Sequence, residues 1–312
     1  AVLLSAAYLI KGGFKSDVYT DVIQFFVMFI GFILIVVVSF SNFGGIEFLQ
    51  KKLPPTHLKL TGGASPVYVI VWFLIAMWTF ADPGFHQRCS AAKDGKTAKL
   101  GILISIILWA FFDFLTTTTG LFSRAVLPNL KEPIISFPLY AEKVLGSGAK
   151  GIFYAAMFAT IISTANSFLF LSGTTFGRDF IYKLKRNAVE KDVKKYTRIG
   201  LIVSSIISVL MAYYIQSVIS LWYLVGSICI PGIIILVFGA YYEKLKVSST
   251  FALIEIIAGV VISIMWFLIK DQTGVNLLME IEPMIAGLIT VITIHIIGMI
   301  RLVSSFSQEK VR

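Results

Sequence analysis

Eight stretches of the chain are each long and apolar enough to cross a bilayer, and they leave little else to fold. They lie near Val18–Phe40, Val67–Arg88, Lys99–Leu121, Gly151–Ile181, Ile199–Ile215, Ile219–Tyr242, Phe251–Ile269 and Pro283–Ile300, with a shorter one at Ala1–Ile10. A spanning helix needs about 20 mostly apolar residues, with a range of about 17–25. In lipid the backbone must satisfy its own polar groups, so these stretches predict helices. The expected fold class is all-α, a polytopic membrane helix bundle. Charged residues make up 14% of the 312 positions, against about 25% in a soluble domain. The 26 Phe, 12 Tyr and 5 Trp are too many for a water-soluble core of this size. A disordered chain, a nucleic-acid-binding domain and an ordinary cytosolic enzyme are thereby excluded. Cys89 and Cys229, in or beside apolar stretches, predict small buried residues rather than a disulfide framework. Ala1–Ile10 has no basic leader and no cleavage pattern, so it reads as the tail of a helix. The chain therefore reads as the C-terminal part of a longer protein.

The charges order the helices. Connections on one side carry Lys11 and Lys15, Arg88 to Lys99, Arg178 to Arg198, Lys244 and Lys246, and Arg301 to Arg312. These hold 19 of the 27 Lys and Arg residues, and the opposite connections hold 8. The richer set predicts the cytoplasmic side, with the C-terminus there, in a plasma (inner) membrane protein. The basic run Arg178–Arg198 lies between two spans and reads as an anchor near anionic lipid, not as a nucleic-acid patch. The two longest connections on the other side, Ser41–Pro66 and Phe122–Lys150, contain proline and glycine turns and predict short surface helices.

Two spans carry Pro-Gly pairs well inside, Pro83-Gly84 and Pro231-Gly232. Proline removes a helix hydrogen bond and glycine permits unwinding, so both predict an interruption or a kink. The first sits among Phe80, Asp82, His86 and Arg88. Ionisable groups inside a membrane are costly and mark function or a paired structural role. Asp82, Asp113, Asp21, Glu255 and His295 qualify. Glu255 reads as a carboxylate near a helix start, and His295 as an interhelical hydrogen bonder. Asp113 reads equally as a structural or a functional carboxylate. The stretch Thr160–Ser167 is unusually polar for mid-membrane. Thr160 precedes Ser163 by three and Thr164 by four, which places all three on one helix face. Its carbonyl and their hydroxyls could supply hard oxygen ligands to a small cation. The competing reading is that these hydroxyls bond back to upstream carbonyls of their own helix.

Three segments, in order, resemble the sodium/solute symporter family, in its proline-transporter-like branch. Tyr8–Gln24 resembles the Gly-Gly turn followed by Thr-Asp-x-x-Gln. Asp82–Arg88 with Ala91-Ala92-Lys93-Asp94 resembles the helix with a proline near its break and a closing arginine. Ile162–Ser167 with Arg178–Tyr182 resembles the Ser-Thr-Ala-polar-Ser segment ending in Asp-hydrophobic-Tyr. The resemblance implies an inverted five-helix repeat of the leucine-transporter kind, incomplete at the N-terminus. Residues 1–41 would end the first repeat, 66–242 would be the second, and 250–302 would be two extra helices. It further implies that Ser163 and Thr164 give side-chain oxygens and Thr160 a carbonyl to Na+, and that Asp21 is tied to sodium coupling. Phe80, Asp82, Gly84, His86 and Tyr223 would lie near the substrate. The Asp-Pro-Gly-Phe-His pattern departs from well-known branches, so the solute is left open. The function implied is symport: sodium-coupled secondary active transport of a small organic solute, with Na+ as coupling ion and no cofactor or nucleic-acid partner. A membrane enzyme acting on lipid-linked substrates and a symporter-like sensor module are the rival classes. The first is favoured only by the pair Asp82 and His86, and the second is disfavoured because no soluble domain follows.

Overall fold

Why each helix starts and stops is legible in local chemistry. The computed structural model describes residues 2–185, 190–214, 217–272 and 281–309. Arg186, Lys310 and Arg312, counted above in the basic set, lie outside the described residues. Among those described, the regular elements are all helical. The first, α1 (Val2–Phe43), has one non-helical residue, Gly13, at φ 59° and ψ −152°. That backbone conformation suits glycine alone. The Gly-Gly turn expected between the two segments is therefore this single hinge. The short α2 (Ile46–Lys52) and a 3-10 turn at Pro55–Leu58 follow in the first long connection.

Helix α3 (Pro66–Ala76) opens with proline at its first position, and the Ser65 hydroxyl accepts the Tyr68 N–H. It is followed by α4 (Trp78–Ala81) and α5 (Pro83–Ala91). Between the last two, Asp82 is extended at φ −66° and ψ 115°, the conformation that a following proline imposes. The interruption expected at Pro83-Gly84 is present. Helix α6 (Gly95–Val126) starts where the Asp94 carboxylate accepts the Thr97 N–H at 2.7 Å. That bond holds the Asp94 carboxyl below its ordinary range. In the second long connection lie a 3-10 turn at Pro133–Ile135 and α7 (Ser136–Val144). Helix α8 (Ser147–Thr174) runs on into a π-helical segment, Thr175–Tyr182. Helices α9 (Glu190–Tyr214), α10 (Val218–Tyr241), α11 (Ser249–Ile269) and α12 (Pro283–Glu309) complete the order. Eight helices among the described residues are long and apolar enough to span a membrane; each overlaps one expected stretch, though the first starts at Leu9 rather than Val18 and the fifth at Asp192 rather than Ile199. The chain is an all-α polytopic membrane bundle. The spanning window of α6 is 6% buried, and residues such as Ile107, Trp109 and Phe114 are exposed on it. Such a surface is stable in lipid, not in water.

Two compact units form. The first comprises Ala1–Gly63 and His86–Tyr214, the second Ala64–Phe85 and Ile215–Arg312. In the first, Phe32 and Ile35 of α1 pack with Leu115 and Phe122 of α6, Tyr140 of α7 and Phe153 of α8. Gly31 lets α1 close on α8, since a Cβ there would stand 2.3 Å from that of Ala156. In the second, Val71, Ile75, Ile230, Ile234 and Met284 form the core. Here the structure corrects an expectation: α10 runs unbroken through Pro231-Gly232. Proline forfeits only its own bond to the Ser227 carbonyl, and the pair serves packing. A Cβ on Gly259 of α11 would lie 2.7 Å from the Gly232 Cα, and one on Gly287 of α12 would lie 2.9 Å from the Pro231 Cβ. Close approach through small residues is how helices associate where no hydrophobic drive exists.

Glu255 is corrected as well. It lies seven residues into α11, fully buried, with both oxygens 3.1 Å from Nδ1 of His295 on α12. His295 is thus the interhelical hydrogen bonder expected, and Glu255 is its partner rather than a helix-start charge. Asp113 is exposed on α6, and its carboxylate makes no bond to another helix among the described residues. Replacing Gly259 by valine should cost about 1–3 kcal/mol by overpacking and lower the unfolding temperature in detergent. Gly101→Ala, in open space, should leave that temperature unchanged or raise it. Equal responses of the two variants would refute the close-packing role.

Candidate functional site

Asp17 and Asp21 are four residues apart on α1 and share a face, as do Ser163 and Ser167 on α8. Those two faces meet, and Arg88 at the end of α5 reaches them. Ser163 Oγ donates to Asp21 Oδ1 at 2.7 Å. Arg88 Nη2 donates to Asp21 Oδ2 at 3.0 Å, to Asp17 Oδ2 at 3.4 Å and to Ser167 Oγ at 2.7 Å. The side chain of Asp17 is 1% exposed, that of Asp21 23% and that of Arg88 37%. Two carboxylates thus share one guanidinium, and with both ionised the cluster carries one negative charge in excess. Desolvation makes that excess costly unless a cation or a proton answers it.

Among the described residues, further polar atoms of this unit are buried with no hydrogen-bond partner. Asp17 Oδ1 and Gln24 Oε1 are buried without a hydrogen-bond partner, and so are both side-chain polar atoms of the fully buried Asn166. Carboxylate, amide and hydroxyl oxygens are hard donors of the kind alkali and alkaline-earth ions prefer.

Of the three α8 residues expected at a cation, only Ser163 engages α1 through its side chain. Thr164 Oγ1 donates to the Thr160 carbonyl at 3.1 Å, and Thr160 Oγ1 to the Ala156 carbonyl at 3.0 Å. Both threonines thus follow the back-bonding pattern, and Thr164 is exposed. The arrangement does bring the Thr160 carbonyl and the Thr164 hydroxyl together, one helical turn apart, beside Ser163.

The residues expected near substrate are only partly gathered. Asp82 is 6% exposed, and both of its oxygens are engaged: Oδ1 accepts the Gly84 N–H at 2.6 Å and Oδ2 the Trp78 indole N–H at 3.0 Å. It caps the helix that Pro83 begins. Phe80 lies against Phe238 with ring centres 5.9 Å apart. Tyr223 lies elsewhere on α10, stacked on Tyr68 at 6.1 Å and against Trp72 at 5.6 Å. Along the helix the two α10 positions are about 22 Å apart. Phe80, Asp82, Gly84 and Tyr223 belong to the second unit and His86 to the first. Sequence reasoning passed over Asp17 and Ser167, and read Arg88 only as a helix closure. The four-residue spacings 17/21 and 163/167 were the available signal.

The model of the sodium:solute symporter family matches residues 1–259. The sodium/pantothenate symporter of Haemophilus influenzae is 26% identical over 282 residues, 86% of this chain and 57% of that protein. Its Escherichia coli counterpart is 30% identical over 196 residues, 61% of this chain and 41% of its own length. The sodium/proline symporter 2 of Staphylococcus saprophyticus is 26% identical over 93% of this chain and 59% of its own length. The chain thus spans about half the length of the curated relatives it matches. The match carries across the turn at Gly13, the Asp17–Asp21–Arg88 cluster and the α8 hydroxyls, and the chain belongs to the sodium:solute symporter family.

Proposed function

We propose that this chain works in a sodium-coupled secondary active transporter that takes up a small organic solute by alternating access, and that it performs no enzymatic chemistry. The observation that carries the reading is the 2.7 Å bond from Ser163 Oγ to Asp21 within a cluster one negative charge in excess. A hydroxyl that gives its proton to a carboxylate keeps its lone pairs for a cation. The Thr160 carbonyl and the Ser163 and Thr164 hydroxyls then offer oxygens to Na+, and Asp21 supplies counter-charge. Arg88 holds Asp21 in place through its second oxygen. Phe80, Asp82, Gly84, His86 and Tyr223 stand as the candidate solute residues. Asp82 acts there through the helix break it caps, because its oxygens are already taken.

The resemblance supports an arrangement in which residues 1–41 end one repeat, 66–242 form the next and 250–302 add two helices. Na+ favours the outward-open state, solute closes the outer side, and rocking of the repeats releases both ligands inside. The Lys and Arg distribution supports a plasma-membrane orientation with the C-terminus in the cytoplasm. Each charge moved through 100 mV yields about 2.3 kcal/mol, roughly a fifty-fold concentration ratio.

Ser163→Ala and Asp21→Asn should each raise the sodium concentration for half-maximal uptake about tenfold, equivalent to ~1.4 kcal/mol, at unchanged expression. Sodium titration of radiolabelled solute uptake by the full-length protein in vesicles measures this. The solute comes from a thermal-shift screen of amino acids, sugars and carboxylates with and without Na+. An unaltered sodium dependence in both variants would sink the assignment. A second outcome concerns Arg88. In a double-mutant cycle on thermal stability, Arg88→Gln and Asp17→Asn should couple by about 1 kcal/mol or more, because either change alone unbalances a buried charge. Additivity within about 0.5 kcal/mol would show that the pair contributes nothing.

A further inference from the structure

In the second unit, α3, α10, α11 and α12 wall a cavity of about 390 Å³, a volume in the range of small-molecule sites. None of Asp17, Asp21 and Arg88 belongs to this unit. Tyr68, Trp72 and Tyr223 form an aromatic corner, with ring centres 6.2, 6.1 and 5.6 Å apart, and Phe267 adds a fourth ring. The two charged groups on the wall are already engaged. Glu282 accepts a hydrogen bond from the Tyr223 hydroxyl, and Lys270 has a partner of its own. The lining residues therefore offer a ligand no free charge.

The polar groups left over are neutral, and they gather around Pro231. Ser227 lines the cavity, is 1% exposed, and carries a hydroxyl without a hydrogen-bond partner. Its carbonyl is the one that Pro231, having no N–H, fails to satisfy. Pro231 packs against Gly287 of α12, and a Cβ on that glycine would overlap Ser263 Oγ of α11. Ser263 is fully buried, and its hydroxyl is unpartnered as well. Ser263 lies one helical turn from Phe267, and Gly287 one turn from Pro283, both of which line the cavity. Elsewhere in these helices a buried hydroxyl bonds back to the carbonyl four residues earlier, as in Ser39, Thr119 and Ser205. Ser227 and Ser263 do not. Alanine would fill both places without burying an unpaired hydroxyl, so helix packing alone does not account for them.

The geometry points to a binding site for a small uncharged amphiphile: an aromatic or apolar body that carries one hydroxyl or primary amide head. The rings take the body. A head that both donates and accepts matches two serine hydroxyls and a freed carbonyl. It gives its proton to one of their oxygens and accepts a proton from a serine. A carboxylate or an ammonium would find no counter-charge, because Glu282 and Lys270 already have partners, and a buried unpaired charge is costly. A water-soluble aromatic alcohol carries the required head, and so does a prenyl alcohol dissolved in the bilayer. Although Tyr223 also stands among the candidate solute residues, this site is defined by Ser227 and its neighbours on α11 and α12. It does not rest on the sodium assignment.

The test is photolabelling of the full-length protein in lipid nanodiscs, in sodium-free potassium buffer, with a benzyl alcohol that carries a diazirine. Adducts mapped by mass spectrometry should fall on Tyr68, Trp72 or Phe267, and excess benzyl alcohol should suppress them saturably. Toluene, benzoate and benzylammonium should protect about tenfold more weakly. Ser227→Ala should raise the half-protecting concentration of benzyl alcohol about tenfold. It should leave the unfolding temperature of the ligand-free protein unchanged or higher, where loss of a purely structural serine would lower it. Ser263→Ala is the second variant, with the same expectation. Farnesol separates the sources. Protection by farnesol as well as benzyl alcohol assigns the site to membrane-dissolved alcohols, and protection by benzyl alcohol alone assigns it to soluble ones. Ser163→Ala should leave the labelling as it is, so the sodium site and this site can fail independently. Absence of adducts at these residues overturns the proposal, as do adducts that excess benzyl alcohol does not reduce and equal protection by toluene. An unchanged half-protecting concentration in both serine variants overturns it too.

Discussion

A backbone amide left without a partner in hydrocarbon costs several kcal/mol, and the whole structure is arranged around that cost. Long helices satisfy such groups internally, and at the break before Pro83 a side chain steps in. At Asp82 the chain leaves the helix because Pro83 follows. The carboxylate takes the Gly84 N–H at 2.6 Å, and the Trp78 indole takes its other oxygen. The break is thus a capped joint rather than an open one. At Gly13 the hinge is made by backbone freedom alone. Pro231, by contrast, loses one bond and nothing more, because α10 is held straight by the helices packed against its Pro-Gly face.

Charge inside the bundle follows the same rule, with one departure. Glu255 has a single base, His295, against both of its oxygens. Asp82 is answered by two N–H donors. Asp17 and Asp21 share Arg88 between them, and among the described residues one oxygen each of Asp17, Gln24 and Asn166 is also buried in this unit without a hydrogen-bond partner. Structural carboxylates are balanced, and this cluster is not. Burial raises the cost of an uncompensated charge, and the sodium site proposed above rests on that imbalance.

Small residues and aromatic rings divide the remaining work in the second unit. Gly232, Gly259 and Gly287 let α10, α11 and α12 approach closely. Beyond that seam the packing gives way to the cavity walled by Tyr68, Trp72 and Tyr223.

Each span was legible from sequence because transfer of a residue into lipid is a local free energy, summed along about 20 residues without reference to anything else. The capped break at Pro83 was legible for a similar reason, since a proline constrains its immediate neighbour. The same dipeptide at 231 misled, because whether a weakened helix opens depends on what packs against it. Ser163 and Asp21 were singled out by resemblance, yet their partners Asp17, Arg88 and Ser167 come from three separate segments. No periodicity along one segment announces a bond across 142 positions. Glu255 and His295 likewise read as unrelated residues until two helices set them 3.1 Å apart. Hydropathy decided that the chain lives in a membrane and which of the described helices can span it. Only the tertiary structure decided which polar groups meet there, because in a low-dielectric interior the energy of a charge belongs to its neighbours and not to its own place in the chain.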